Sequence, residues 1–376
     1  MRPTPPAPAA PARRSALLPD FPWDQLEPAK AVAAAHPGGI VDLSVGTPVD
    51  PVPPLVRAAL ADAADAPGYP LTAGTPALRA AITGWLAREC GATDDGLAVL
   101  PTIGSKELVA WLPTLLGIGP GDIVVIPSVC YPTYEVGVRL AGAEVVRADS
   151  LTAVGPSSRV RLVWVNSPAN PTGRVLPAEH LRKVVDWSRE RGAVVASDEC
   201  YLSLAWDTTP VSVLSPAVCG GRYDGVLAVH SLSKRSNLAG YRAGFVGGDP
   251  AVVAELLAVR KHAGMIMPGP VQAAMVAALG DESHVAAQRD RYAARRDVLR
   301  AALTGAGFQI THSEAGLYLW ASRDEDCWDT VRWLADRGIL VAPGGFYGPA
   351  GSRHVRVALT ATDERVTEAS HRLQAD

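Results

Sequence analysis

The segment VHSLSKRSNLAGYRAGFVGG, residues 229–248, places one lysine between two apolar runs that predict strands. Ser231 ends the first run, and Lys234 lies three residues after it. Arg242 stands at the start of the second run. Hydroxyl groups and a guanidinium near one lysine suit a phosphate held beside a reactive amine. A surface lysine is the alternative for any single residue of this type, but the spacing of Ser231, Lys234 and Arg242 is hard to explain by chance.

Further apolar runs alternate with helical patterns on the N-terminal side of this segment. They are almost continuously hydrophobic, as in strands that are buried on both faces. Alternation of such strands with helices predicts a doubly wound α/β sheet. The predicted strands are DIVVIP (122–127), AEVVRA (143–148), RLVWVNSP (161–168), AVVASDE (193–199), GVLAVHS (225–231) and AGFVGG (243–248), and 177–192 is a predicted helix.

The pattern changes after about residue 270. A long helical pattern over 281–307 precedes short apolar runs at 316–322 and 354–360, which predicts a smaller α+β domain. The predicted organisation is a mobile Pro/Ala-rich extension (1–18), an N-terminal segment that contributes to the small domain (19–45), a large domain (46–270) and a small C-terminal domain (271–376).

Composition excludes several classes of protein. A chain of 376 residues with 48% hydrophobic and 19% charged residues can bury a large core, so it is not a disordered protein. A net charge of −3 gives no global reason to expect a nucleic acid or membrane partner. The five cysteines are scattered and odd in number, which indicates free thiols in a reducing compartment, and we expect a cytoplasmic protein.

Polar residues follow two of the predicted strands. Asn166 lies at the end of one predicted strand, and Asn170 follows it in the sequence VNSPANPTG. Asp198 lies at the end of the next predicted strand, in SDECY. Ligands of open α/β sheets bind at the carboxyl ends of strands. An Asn-Pro turn and a solvated carboxylate are the respective alternatives at this point.

Together the three segments resemble the fold-type I pyridoxal-phosphate (PLP) aminotransferases, the family that contains aspartate aminotransferase. The resemblance extends from about residue 20 to the C-terminal region. It implies a large, mainly parallel seven-stranded sheet domain with helices on both faces and a smaller α+β domain. Within the family the chain is most similar to N-succinyl-L,L-diaminopimelate aminotransferases of the actinobacterial type, on the segments 18–26, 43–53 and 69–82.

The resemblance implies a role for each residue that would meet the cofactor ring. Lys234 matches the lysine that binds the PLP aldehyde and moves a proton at the substrate α-carbon. Asp198 matches the partner of the ring nitrogen. Tyr201 and Asn170 match the groups that hydrogen-bond the phenolic oxygen, and Tyr131 matches the aromatic residue that stacks on the ring.

The resemblance also implies a phosphate site and a substrate site. Arg356 matches the arginine that grips the α-carboxylate, and Gly46 matches a glycine whose N–H approaches that carboxylate. Tyr69 matches a tyrosine that reaches the phosphate bound by a neighbouring subunit, which implies a homodimer with a shared active site. The residues expected at the phosphate are Ser231, Arg242, Gly104, Ser105 and, through its backbone only, Lys106.

The implied activity is amino transfer between an amino acid and a 2-oxo acid. Glutamate and 2-oxoglutarate are the expected pair on one side, and N-succinyl-L,L-diaminopimelate, a lysine precursor, is expected on the other. Aspartate, aromatic or prephenate specificity and a PLP-dependent cystathionine-type β-lyase are alternatives. A PLP-binding transcription regulator is disfavoured because no helix-turn-helix pattern or basic arm precedes the core. We expect small-molecule substrates and no metal, nucleic acid or membrane partner.

Overall fold

The computed structural model describes residues 14–93, 95–155 and 157–374. The predicted extension over 1–18 therefore falls largely outside the described residues. The strands are β1 (Val41–Asp42), β2 (Ala98–Ile103), β3 (Ile123–Ile126), β4 (Glu144–Arg147), β5 (Val160–Asn166), β6 (Val194–Asp198), β7 (Val226–Ser231), β8 (Ala243–Gly248), β9 (Gln309–Thr311), β10 (Tyr318–Ser322), β11 (Ile339–Leu340), β12 (Ala342–Pro343) and β13 (Val355–Ala358).

The helices connect these strands and cover both faces of the main sheet. Short 3-10 helices cover Arg14–Leu17, Pro22–Leu26, Ala239–Tyr241, Gly344–Tyr347 and Pro349–Gly351. The α-helices are α1 (Glu27–Ala34), α2 (Pro54–Asp62), α3 (Pro76–Cys90), α4 (Ser105–Leu115), α5 (Thr133–Ala141), α6 (Leu151–Val154), α7 (Ala178–Arg189), α8 (Pro216–Cys219), α9 (Leu232–Arg235), α10 (Pro250–Ala263), α11 (Gly269–Leu279), α12 (Ser283–Gly305), α13 (Cys327–Asp336) and α14 (Asp363–Gln374). Among the described residues, no helix combines the length and the hydrophobicity needed to cross a membrane.

Within the described residues, seven strands form the main sheet in the order β2-β8-β7-β6-β5-β3-β4, which confirms the predicted fold class. The pairs from β7 to β4 are parallel, and β8 is antiparallel to both of its neighbours. Sequence patterns missed β2, because its Pro101 argues against a strand. The proline is tolerated because β2 lies at the edge of the sheet, where one side of the strand needs no hydrogen-bond partner.

Alternating side chains build a separate core on each face of the main sheet. Val125 and Val163 pack on one face with α3, α7 and α11, whereas Val124 and Leu162 pack on the other face with α4 and α5. This alternation explains why the strands read as continuous hydrophobic runs: both faces are covered by helices.

A second body of structure combines the two ends of the described chain. Leu26 and Leu43 pack with residues of α12, α13 and α14 around the sheet β12-β13-β10-β9, and β1 pairs with β11. Helix α11 starts near the predicted boundary at 270. It packs against α2 and α3 on the main sheet, because Met275 and its apolar neighbours face that core. The predicted domain boundaries, including the one at 270, remain predictions.

The parallel register brings the polar strand ends together. Asn166 at the end of β5 is the lateral neighbour of Asp198 at the end of β6, and β7 ends next to them in Ser231. Since these strands run in the same direction, their carboxyl ends form one edge of the sheet, which is where a ligand binds in open α/β sheets.

Candidate active site

A cavity of about 740 Å³ opens at this edge of the sheet, between the main sheet and the smaller body. Both bodies contribute to its wall: Asp198 ends strand β6 of the main sheet, Lys234 lies in α9 just after β7, and Arg356 comes from β13. The residues predicted from sequence that line it are Gly46, Ser105, Lys106, Tyr131, Asn170, Asp198, Tyr201, Ser231, Lys234, Arg242 and Arg356. Residues far apart in the chain thus meet in one place.

Lys234 lies in α9, a single helical turn that directly follows β7. The turn begins at Ser231, whose hydroxyl accepts a hydrogen bond from the N–H of Ser233 at 3.1 Å. The Lys234 ammonium donates to the carbonyl of Gly46. Burial, together with the guanidinium groups of Arg356 and Arg242, lowers the pKa of the Lys234 amine to about 8. A lysine with this pKa is available as a neutral nucleophile and as a base near neutral pH.

Asp198 is a buried carboxylate at the floor of the cavity. Tyr134 donates to its Oδ2 at 2.8 Å, and the N–H of Cys200 donates to its Oδ1 at 3.2 Å. Burial raises the pKa of Asp198, and these two hydrogen bonds oppose that rise. A carboxylate in such a place is stabilised further when a cation lies beside it, as a protonated ring nitrogen would.

The loop after β5 holds Asn170 in the cavity. Asn166 supplies its side-chain oxygen to the N–H of Asn170 at 2.7 Å, and its side-chain nitrogen donates to the carbonyl of Asp198 at 2.8 Å. The peptide bonds Ser167–Pro168 and Asn170–Pro171 are cis. Asn166 thus ties the loop to β6 and holds Asn170, a residue predicted to bind the cofactor and substrate, at the cavity.

Arg356 is buried, and each of its two terminal nitrogens has a partner. One nitrogen donates to Oδ1 of Asn170 at 3.0 Å, and the other donates to the carbonyl of Ser44 at 2.6 Å. The guanidinium also lies over the ring of Tyr318, 4.0 Å from its centroid. The buried Nε has no hydrogen-bond partner among the described residues. Among the described residues, no carboxylate pairs with this guanidinium. A buried and unpaired guanidinium suits an anionic ligand group.

Donor groups suited to a phosphate gather at the other side of the cavity. Helix α4 starts at Ser105, so its free N–H groups face an incoming anion together with the Arg242 guanidinium. Gly104 precedes this helix with a φ of +74°, and a Cβ atom at this position would overlap the guanidinium of Arg242. Glycine therefore suits the backbone conformation at this position, and a larger residue would displace the Arg242 guanidinium.

Two predicted residues differ from the rest, Tyr69 in its position and Gly46 in the reason for its glycine. Tyr69 is fully exposed and does not line the cavity of its own chain. Gly46 lines the cavity. A Cβ atom at this position would collide with the phenol of Tyr318. The glycine is thus explained by the neighbouring tyrosine, which the sequence did not suggest.

Sequence reasoning missed several residues of the site. Trp23 and Phe21 come from the N-terminal segment and line the cavity. Tyr318 lines it too, and its hydroxyl lies 3.1 Å from that of Tyr201. Tyr134 had a detectable signal, because it follows the predicted Tyr131 by only three residues, and the two ring centroids lie 6.2 Å apart. The other three come from segments with no strand-end motif.

The cavity fits PLP in three independent respects. A lysine of lowered pKa can receive the aldehyde, and a buried carboxylate can receive the ring nitrogen. A helix N-terminus, hydroxyl groups and Arg242 can receive the phosphate. The fold and this site therefore define a PLP-dependent enzyme of fold type I.

Comparison with known proteins identifies the family. The family model "Aminotransferase class I and II" matches residues 39–373. The chain belongs to this family, and it is a PLP-dependent transaminase whose substrates are small amino and oxo acids.

Relatives of known sequence support the same assignment. A protein of Mycobacterium tuberculosis described as a probable aminotransferase is 66% identical over 368 residues, which cover 97% of this chain and 88% of that protein. The 4-dedimethylamino-4-oxo-anhydrotetracycline transaminase OxyQ of Streptomyces rimosus is 61% identical, with coverage of 95% of this chain and 99% of OxyQ. An LL-diaminopimelate aminotransferase of Oleidesulfovibrio alaskensis is 32% identical, with coverage of 96% and 98%.

Solved structures agree with the fold. An aminotransferase of Neisseria meningitidis is 31% identical and superimposes with a TM-score of 0.86, with coverage of 96% of this chain and 98% of that one. A probable N-succinyldiaminopimelate aminotransferase of Thermus thermophilus is 29% identical, with a TM-score of 0.85 and coverage of 94% and 99%.

Proposed function

We propose that this enzyme transfers an amino group between glutamate or 2-oxoglutarate and N-succinyl-L,L-diaminopimelate or its 2-oxo acid. Both partners carry a second carboxylate far from the reacting carbon. The diaminopimelate aminotransferases among the relatives and structural neighbours support this substrate class. The cavity of about 740 Å³ is large enough for PLP together with a substrate of this kind.

The observation that carries this proposal is that Lys106 lines the same cavity as Arg356. Lys106 lines the cavity, and its ammonium lies 5.8 Å from the centroid of Phe21. Among the described residues, no carboxylate lies within ion-pair distance of this ammonium. If Arg356 binds the α-carboxylate, Lys106 is free to bind the distal one, which extends its role beyond the backbone contact expected from sequence.

The proposed roles of the other residues follow from their contacts. Lys234 binds the cofactor aldehyde and then moves a proton at the substrate α-carbon, for which its lowered pKa is suited. Asp198 holds the proton of the ring nitrogen, with Tyr134 fixing its orientation. Asn170 and Tyr201 would donate hydrogen bonds to the ring oxygen, and Tyr131 would stack on the ring. PLP itself supplies the aldehyde that accepts the amino group and an electron-withdrawing ring.

A half-reaction screen tests the substrate. The PLP-loaded enzyme is mixed with glutamate, N-succinyl-L,L-diaminopimelate, aspartate, aromatic or branched amino acids, and loss of the visible cofactor band is followed. We expect glutamate and N-succinyl-L,L-diaminopimelate to react with the highest kcat/KM. Equal or faster reaction of aromatic or branched-chain amino acids would refute the proposed pair. Release of pyruvate and ammonia from cystathionine without an oxo acid would indicate a β-lyase instead.

The Lys106→Gln variant tests whether Lys106 binds the distal carboxylate of the substrate. We expect KM for glutamate to rise by roughly tenfold and KM for alanine to change little, because only glutamate has a distal carboxylate. Lys183→Gln is the matched control, since Lys183 is exposed on α7 and pairs with Glu179 away from the cavity. An equal rise for glutamate and alanine would contradict the assignment.

A second candidate substrate comes from the 61% identity to OxyQ, whose name specifies a polycyclic ketone. This observation favours a large aromatic amino acceptor, and the aromatic side chains of Trp23 and Phe21 offer a surface for it. Incubation of the amino-loaded enzyme with an oxo-anhydrotetracycline distinguishes the two candidates. Return of the cofactor band with this ketone, and not with the succinylated oxo acid, would favour the second candidate.

We also propose that the enzyme is a homodimer with a shared active site. Tyr69 supports this proposal, because a fully exposed tyrosine next to the half-exposed Leu71 suits an intersubunit contact.

A further inference from the structure

The three residues that follow Lys234 are all tied to the beginning of α12. Each makes a side-chain hydrogen bond to a different residue there, although about 50 positions separate the two segments. The contacts are Arg235 to both carboxylate oxygens of Glu282 at 2.7 Å, Ser236 to His284 at 2.8 Å, and Asn237 to Gln288 at 2.9 Å. The segment that carries the lysine is thus fastened to a helix of the smaller body.

The central contact has the geometry of a hydrogen-bonded triad. Nδ1 of His284 lies 2.7 Å from Oδ2 of Asp281, and Nε2 lies 2.8 Å from Oγ of Ser236. Because an ionised carboxylate only accepts, Nδ1 carries the hydrogen of the contact with Asp281, and Nε2 shares a hydrogen bond with the Ser236 hydroxyl. The hydrogen bond from His284 holds the pKa of Asp281 well below its usual range. Asp281 therefore fixes the ring in the orientation that reaches Ser236.

This triad does not form a second hydrolytic site. Ser236 is 0% exposed, so no substrate can reach its hydroxyl. A buried hydroxyl without a partner destabilises a structure, and His284 supplies that partner. The arrangement therefore serves to hold a piece of backbone in place. That piece lies two residues after Lys234 and ends the single turn of α9, where the N–H of Ser236 bonds to the carbonyl of Leu232 at 3.1 Å.

We propose that His284 is a positioning residue for Lys234. Through Ser236 it fixes the end of the turn that carries the lysine, and Asp281 fixes His284 in turn. Because α12 also packs against α14 and β10, the contact links the lysine to the smaller body that supplies Arg356. The inference rests on the proposed role of Lys234. It adds a residue to the reaction that does not touch the cavity.

Variants of His284 separate this role from simple packing. Gln can place its amide close to the position of Nε2 and bond to Ser236, whereas Asn can bond to Asp281 but is too short to reach Ser236. We expect His284→Ala and His284→Asn to lower kcat about tenfold with KM nearly unchanged, since a small displacement of a catalytic group slows the chemical step. His284→Gln should restore most of the rate. The apoenzymes of the Ala and Asn variants should also take up added PLP more slowly.

Two controls make the outcome decisive. His371→Ala removes an exposed histidine of α14 and should leave kcat unchanged. Ser236→Ala removes a single oxygen; it should reproduce the effect of His284→Ala, and the double variant should be no slower than either single one. If His284→Ala lowers the melting temperature below the assay temperature, the Ser236→Ala variant tests the inference in its place.

Wild-type kcat and PLP uptake in Ser236→Ala, or additive effects in the double variant, would overturn the inference. Equal loss in the Gln and Asn variants would do the same. An active, colourless Lys234→Ala variant would instead refute the proposed role of Lys234, so the two failures are distinguishable.

Discussion

The guanidinium of Arg356 donates to the side-chain oxygen of Asn170 at 3.0 Å, across the boundary between the smaller body and the main sheet. Because this bond occupies the amide oxygen, the amide nitrogen of Asn170 is the group left to donate into the cavity. The residue proposed for the substrate carboxylate therefore orients the residue proposed for the cofactor oxygen. A change at Arg356 should affect both binding events.

Arg356→Lys should raise KM for every amino acid and every oxo acid roughly tenfold or more, because an ammonium cannot reproduce the two parallel hydrogen bonds of a guanidinium. It should also weaken PLP binding, since Asn170 loses its partner. Steady-state kinetics and PLP titration of the apoenzyme measure the two effects. Arg332→Lys, an exposed arginine paired with Asp329 on α13, is the matched control. An unchanged KM would contradict the assignment.

Asp198→Ala should lower kcat by at least about 100-fold while the fold is retained, because the ring nitrogen would lose its carboxylate partner. Tyr134→Phe removes only the hydrogen bond to Asp198, so its effect should be about tenfold or less. Stopped-flow half-reactions give the rates, and thermal melting checks the fold. Full activity of Asp198→Ala would contradict the role proposed for this carboxylate.

The main sheet was predictable because its strands are buried on both faces, so hydrophobic runs mark them directly. Of the strands in the main sheet, only β2 was not predicted. It contains Pro101, which is tolerated because β2 is an edge strand, and the sequence does not show which strand lies at an edge. The strand-end residues Asp198 and Lys234 were predictable for the same reason: parallel strands collect their carboxyl ends at one edge.

Other parts of the site depend on long-range packing, which no local pattern records. Trp23 enters the cavity because the N-terminal segment packs on the smaller body, and Tyr318 enters it from an antiparallel strand. The tie between Ser236 and His284 joins segments that pair only in three dimensions. The requirement for glycine at position 46 was predictable from the motif, but its cause, the Tyr318 phenol, was not.

The rate at which the apoenzyme takes up PLP should rise with pH and level off above about pH 8. The neutral amine is the nucleophile, and the pKa of Lys234 is lowered from 10.5 to about 8, so the neutral form of this lysine becomes dominant above that pH. Rates of appearance of the visible cofactor band between pH 6 and 10 measure this dependence. A rate that still increases about tenfold per pH unit up to pH 10 would indicate an ordinary lysine instead.

Gly104→Ala should weaken PLP binding by displacing the Arg242 guanidinium. The substitution also strains the backbone, because φ is +74° at this position. Gly117→Ala separates the two effects: its φ is +71°, but a Cβ atom there meets nothing within 4 Å. Both variants should lose stability by about 1–2 kcal/mol, and only Gly104→Ala should show a raised Kd for PLP. Equal PLP affinity in the two variants would contradict the close contact with Arg242.

Mixing two inactive variants should restore activity if the site is shared between subunits. In a heterodimer of Tyr69→Ala and Lys234→Ala, one site combines an intact lysine of one subunit with an intact Tyr69 of the other. Statistical reassembly of equal amounts should then give about one quarter of the wild-type rate. Refolding the variants together and separately, with the rate per subunit measured, provides the comparison. A mixture no more active than the sum of its parts would show that Tyr69 does not act across a subunit boundary.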